Sequence, residues 1–191
     1  MTKPIPYGIV SYSEKTEKVV MILTEDINKY DCYSSVMSAV ETDIYKDSPF
    51  KIYKDLSSKK KGAEFEKLTQ EYAEKGGLWV NPPLSSEHDR IIQSLDKTEI
   101  KGSLLWGTGT QFRWQQIRPN QDYDNMVFLA VYPDRIDFYW ASKDVVSEAV
   151  EVQDERGYWS HNQHGGMKVN SGTFFVDGMP EDFPWMNKWV L

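Results

Sequence analysis

Between positions 89 and 101 the chain places three residues that could work on a phosphate: Asp89, Glu99 and Lys101, the last two flanking Ile100. Side chains alternate along a strand, so Glu99 and Lys101 share one face while Ile100 turns into a core. Asp89 heads an earlier apolar run, Arg90-Ile91-Ile92-Gln93, and Ser94-Leu95-Asp96-Lys97 supplies turn residues between the two runs. A hairpin of this kind brings Asp89 beside Glu99 and Lys101. Two carboxylates and an ammonium at one point suit a divalent cation and an activated water that attacks phosphate.

Phosphodiesters resist hydroxide because both are anionic. A hard cation held by Asp89 and Glu99, with the Ile100 carbonyl as a further ligand, would neutralise the phosphate and acidify water. Lys101 could orient or deprotonate that water, but beside two acids its charge is favoured, so electrostatic stabilisation is its safer role. Acid-x-Lys is a loose pattern, expected about two or three times by chance in a chain this acidic. It occurs here once, and the bland alternative is a surface hairpin with a fortuitous salt bridge. Context has to decide.

The elements that would position these residues can be read from periodicity. Residues 8–12 and 18–23 form two strands around a polar turn, residues 32–45 a helix, and Phe50 to Tyr53 a short strand. Lys61 to Lys75 is a helix with an apolar stripe of Ala63, Phe65, Leu68 and Tyr72, ended by Gly76-Gly77. Leu78 to Val80 is a strand, and the hairpin 89–103 follows. Gly107 and Gly109 mark a flexible loop. Phe112 to Ile117 reads as one or two helical turns stopped by Pro119. Met126 to Tyr132 is a buried strand, Arg135 to Trp140 its antiparallel return, Ser142 to Gln153 a helix, and Met167 to Val176 a further strand. The order implies an α/β fold, with helices packed on a mixed sheet.

Asp89, Glu99-Ile100-Lys101 and Glu66 on the preceding helix together resemble the PD-(D/E)XK nuclease superfamily, whose core is restriction-endonuclease-like. Asp89 matches its first acid, Glu99 its second and Lys101 its lysine; His88 replaces the nominal proline, at a permissive position. Glu66 resembles the extra acid on the first helix of many members. Gln115-Gln116-Ile117-Arg118 is similar to a Gln-bearing helix after the catalytic strand, with Gln116 holding Lys101 or a phosphate oxygen. The resemblance spans roughly residues 58–142 and implies a three-layer core with a mixed central sheet flanked by helices. It also implies Mg²⁺, or Mn²⁺, on Asp89, Glu99 and the Ile100 carbonyl.

Composition limits the alternatives. The chain has 191 residues and 40% apolar residues, enough for one domain with a real core. A net charge of −7 argues against a protein that coats nucleic acid non-specifically, but not against an enzyme with a local basic cleft. The single Cys32 excludes an internal disulfide, no apolar run reaches membrane-spanning length, and Met1 to Pro6 lacks the apolar core of a signal peptide. A cytoplasmic protein is expected.

Other candidates carry less. His161 and His164 lack the partners of a zinc set and read as a solvated or DNA-contacting loop. Gly107-Thr108-Gly109-Thr110 lacks the Lys-Ser/Thr of a P-loop. Trp106, Phe112 and Trp114 are core or rim aromatics, one of which could stack on a base. Lys168 and Asn170 have groove-reading side chains, though an ordinary half-exposed strand explains them equally well. Ser103, Arg113, Gln115, Arg118, His164, Lys168 and Asn170 form the candidate DNA-contacting set.

The expectation is a single domain: an N-terminal elaboration (1–57), a nuclease core (58–156) and a C-terminal elaboration (157–191). Its expected function is metal-dependent hydrolysis of double-stranded DNA by a type II restriction enzyme acting as a homodimer. A repair or junction-resolving nuclease of the same fold, or a non-catalytic nucleic-acid- or protein-binding module, is the alternative.

Overall fold

The run Asn125–Val131 is buried from its second residue to its last, a pattern that requires cover on both faces of a strand. The computed structural model describes residues 8–13, 18–23, 43–106, 109–155 and 173–191, and the chain divides into two units, Met1–Thr42 and Asp43–Leu191. In the first, β1 (Gly8–Ser13) and β2 (Lys18–Leu23) pair antiparallel, Gly8 opposite Leu23. The helix expected from residue 32 lies, up to residue 42, outside the described residues.

The second unit opens with α1 (Lys51–Asp55) and α2 (Ser58–Lys75). Strands β3 (Val80–Asn81), β4 (Arg90–Ile92), β5 (Asp96–Leu104) and β6 (Phe112–Ile117) follow. Then come β7 (Asn125–Val131), β8 (Ile136–Ser142), α3 (Lys143–Glu155), β9 (Phe174–Gly178) and β10 (Asn187–Lys188). A six-stranded sheet runs in the order β10-β8-β7-β5-β4-β3, and β6 pairs β9 in a separate ribbon. Only β5 and β7 pair parallel, so the sheet is mixed and the fold is α/β. No helix among the described residues is long and apolar enough to cross a membrane.

Register shows what covers each face. Gly102, Leu129 and Phe138 stand in one row across β5, β7 and β8, and α2 packs on that face. Tyr72 stacks on Phe138 with ring centroids 4.1 Å apart. Phe65 lies against Gly102, where an added Cβ would sit 2.5 Å from the Phe65 Cγ and Cε2 and closer still to Cδ2. Glycine is required there because only hydrogen fits. The neighbouring row, Lys101, Phe128 and Tyr139, points to the other face, where Trp114 of β6 meets Phe128 edge-on.

Two local readings need correction. Phe50 to Tyr53 belongs to a helical turn rather than a strand: Phe50 and Tyr53 stack at a three-residue spacing, Tyr53 meets Phe65, and the Ser48 hydroxyl accepts from the Phe50 N–H at 2.9 Å. Phe112 to Ile117 is a strand rather than helical turns. Phe112 and Trp114 are buried on alternate positions, and all but Gln116 pair with β9, so period two wins over the short helical reading. The Gln-bearing helix implied by the resemblance is therefore absent, and its two glutamines lie on β6. Within α2 the buried stripe is Phe65, Thr69 and Ala73, with Ala63 exposed.

Candidate active site

Strand β4 covers β5 only as far as Thr98, which faces Arg90. From Ile100 onward no strand among the described residues pairs with that edge of β5. Asp89, the residue just before β4, closes the first position of the gap: its backbone N–H donates to the Thr98 carbonyl (3.0 Å), and its Oδ2 accepts from the Ile100 N–H at 2.8 Å. In a strand, one residue's N–H and C=O point to the same neighbour. The Ile100 carbonyl therefore faces the gap that Asp89 occupies.

Glu99 and Lys101 share a face of β5, as alternation requires, and the Lys101 ammonium donates to Glu99 Oε1 at 2.5 Å. Glu99 is buried, and burial pushes its carboxyl above the usual carboxylate range. Lys101 pulls it back, Asp89 pushes it up again, and Arg118 lowers it. Glu66 of α2 is also held up, first by burial and then by Asp89, against Arg90 and Lys101. Three carboxylates, from α2, β5 and the loop before β4, thus share one field. Arg90 links α2 to the start of β4: its guanidinium donates to Glu66 Oε2 (3.0 Å), to the Asp89 backbone carbonyl (2.6 Å) and to Gln70 Oε1 (3.4 Å).

The loop carrying Asp89 is fixed by His88, which sequence reasoning treated as a permissive position. The buried ring accepts at Nε2 from the Leu84 N–H (3.1 Å), which leaves Nδ1 to donate to the Asp122 carbonyl (3.2 Å). Glu87 accepts from the Asp122 N–H, and Lys97 bonds the Asp122 carboxylate at 2.8 Å. These contacts clamp two loops that are far apart in sequence, and no local pattern could have announced them. Tyr123 on the second loop is buried, its hydroxyl has no hydrogen-bond partner among the described residues, and burial together with Glu99 raises its pKa.

Beside the site lies a cleft of about 480 Å³ along the open edge of β5. Ser58 and Lys61 of α2 line one side, Ile100 to Leu104 the floor, and Trp106, Arg113, Gln115 and Gln116 the other side. Gln115 and Gln116 are both exposed because the β6–β9 register slips between Gln115 and Ile117, and Gln116 takes the left-handed φ of 59°. Two other expected contacts are committed inside the protein. Ser103 Oγ accepts from the Arg113 N–H (2.9 Å) and donates to the Leu104 carbonyl, while the Arg113 guanidinium forks onto Asp177. Arg118 is half-buried within electrostatic reach of Glu99. His161, His164, Lys168 and Asn170 lie outside the described residues, as do Gly107 and Thr108.

The donor set suits a hard cation. Asp89 keeps its second oxygen, Glu99 keeps Oε2, and the Ile100 carbonyl faces the gap, all of them oxygen donors. No group of three or more His, Cys, Asp or Glu is gathered as ligands among the described residues. A site of two carboxylates and a carbonyl would leave its remaining positions to water and substrate, the usual habit of Mg²⁺. No protein-family model matches the chain, and no curated protein matches it.

Proposed function

We propose that this protein is a metal-dependent endonuclease that hydrolyses phosphodiester bonds of double-stranded DNA, with a restriction-endonuclease-like core. In its simplest form it is a type II restriction enzyme working as a homodimer in the cytoplasm. The reading rests on one observation: Asp89, the Ile100 carbonyl and the Glu99–Lys101 pair converge where β4 ends and β5 continues uncovered.

Asp89, Glu99 and the Ile100 carbonyl would hold Mg²⁺ or Mn²⁺. The bound cation would lower the charge on the phosphate and the pKa of water. Lys101, aimed by its hydrogen bond to Glu99, stabilises negative charge developing on the phosphate oxygens. Gln116 lines the same cleft with its side-chain amide unpartnered and so can orient a phosphate oxygen or the attacking water. Arg118 and Gln115 extend the contact surface along the duplex.

A second reading has an observation of its own. Asp89 serves as a cap for the Ile100 N–H, and Glu99 is satisfied by Lys101, so the trio could be purely structural. Incubation of plasmid and genomic DNA with Mg²⁺, followed by end sequencing, separates the two. Discrete fragments are expected, lost by at least about a hundredfold in K101M and D89N, with binding in metal-free buffer retained. Cutting confined to branched DNA would replace restriction by junction resolution. No cutting of any DNA, with variants altered only in stability, would leave the non-catalytic reading.

A further inference from the structure

The cleft beside Lys101 has a composition of its own in this acidic chain. No carboxylate lines it among the described residues, whereas Lys61, Lys101 and Arg113 all do. Lys61 makes no ion pair with any described residue. Its volume of about 480 Å³ falls in the range of small-molecule sites, about 300–1,000 Å³.

Its aromatic wall is built rather than incidental. Trp106 is 44% exposed and lines the cleft. Arg113 lies over this ring at 5.0 Å and over Phe175 at 5.1 Å, while Asp177 holds the guanidinium from the side. The indole is thus backed on one face by a fixed cation, and it lines the cleft. Opposite charge and aromatic stacking together restrict how the ring can turn. Next to it, the bulge presents the amides of Gln115 and Gln116 side by side, at the cost of a left-handed backbone that a glutamine seldom adopts. On the floor, the uncovered edge of β5 offers the backbone groups of Gly102.

A flat ring needs a stacking platform, edge donors and acceptors need amides, and an anion needs lysines. One ligand class has all three features: a nucleotide. A base inside a duplex cannot present its face to a tryptophan, so the nucleotide has to be unstacked. We infer that this cleft holds one unstacked nucleotide of the substrate, its base on Trp106 and the amides of Gln115 and Gln116, its phosphate toward Lys61 and Lys101. The inference rests on the nuclease reading and deepens it: the preferred substrate carries an extrahelical or unpaired nucleotide next to the scissile bond.

The test uses the full chain in metal-free buffer and two duplexes of one sequence, fully paired or carrying a single extrahelical 2-aminopurine. Adenosine monophosphate serves as the free-nucleotide arm. Binding is read by anisotropy and stacking by 2-aminopurine quenching. The bulged duplex should bind about tenfold or more tighter than the paired one and be quenched on binding. W106L and Q116G should each remove most of that preference. Melting temperature monitors folding, and Q116G keeps the test decisive if W106L does not fold, because glycine suits a left-handed φ.

Equal binding of the two duplexes, or a preference unchanged in both variants, overturns the inference while leaving the cleavage assay to judge the nuclease reading. A Trp106-dependent preference for the bulge without Mg²⁺-dependent cleavage sustains the nucleotide cleft but sinks the nuclease reading, and with it the placement of that nucleotide next to a scissile bond. Trp106-dependent binding of adenosine monophosphate with neither duplex bound keeps a nucleotide site but makes its ligand free, and the nuclease reading falls.

Discussion

Breaking the Glu99–Lys101 pair in two different ways separates a functional pair from a structural one. At 2.5 Å and an effective dielectric of 20, the attraction is about 7 kcal/mol. Against it stands the lost hydration of two ions whose side chains are only 9% and 16% exposed, several kcal/mol for each. The balance is near zero, and Glu99 shows which way it tips: even with an ammonium in contact, burial keeps its carboxyl above the ordinary range. The pair therefore contributes little net stability. K101M and E99Q should each cost about 3 kcal/mol, because each strands a buried polar or charged partner. The double variant E99L/K101M, which removes both charges and keeps the bulk, should match the wild type or exceed it by about 1–4 kcal/mol in urea melts at pH 7. All three should abolish cleavage.

The pH dependence supplies an internal check. Lys101 lowers the Glu99 carboxyl, so K101M lets it rise further above its unfolded value. A carboxyl raised in the folded state contributes stability that is fully present below its unfolded pKa and is lost as pH climbs through the folded one. The K101M deficit should shrink as pH falls and Glu99 takes up a proton, whereas the E99Q deficit should change less, because the carboxyl that titrates is gone. If E99L/K101M proves more than about 2 kcal/mol less stable than the wild type, the pair is part of the frame, and the argument that it is maintained for chemistry fails.

Two further substitutions test the scaffold under the site. G102A drives a methyl into the buried Phe65 ring and should cost about 3 kcal/mol; combined with F65A it should cost at least about 2 kcal/mol less than the sum of the two single variants, and full additivity in denaturant melts would show that the close approach is not the cause. Q116G relieves a φ of 59° and should stabilise the protein by up to about 1 kcal/mol while weakening DNA binding, whereas a loss of stability by calorimetry would mean that the bulge is held by the glutamine side chain.

Much of the frame was legible because its signals are local. β7 and β8 announce themselves by apolar runs around Pro133-Asp134, α2 by its spacing and Gly76-Gly77, and the β4–β5 hairpin by its turn residues. Alternation alone put Glu99 and Lys101 on one face. The errors came where a short segment fits two periods. Phe112 to Ile117 is too brief for periodicity to choose between strand and helix, and the partner that settles it, β9, lies about sixty residues away. Sequence separation, from 24 to 64 residues, also hid the Arg113–Asp177 fork, the Glu66–Arg90 bridge and the His88 clamp. In the sequence Arg113 reads as a DNA contact, Glu66 as a site acid and His88 as a permissive position, because nothing marks which side chain will meet which.

That asymmetry bears on what kind of site this is. A structural salt bridge needs only its two members. Here the neighbourhood is arranged at a cost on every side: two half-buried or buried carboxyls held above their ordinary range, a buried tyrosine hydroxyl without a partner among the described residues, a glutamine in a left-handed backbone, and a strand edge that no described strand pairs with beyond Thr98. Each lowers stability, and all lie within one end of β5 and the elements that touch it. Folding by itself gives no reason for such costs to gather at one place. A bound cation would relieve the carboxyls directly, since it favours their charged form, and a substrate in the cleft would supply partners for the open edge and the amides. The concentration of unmet demands at the uncovered end of β5, more than the acid-x-Lys spelling itself, is the physical ground for reading it as a site of chemistry.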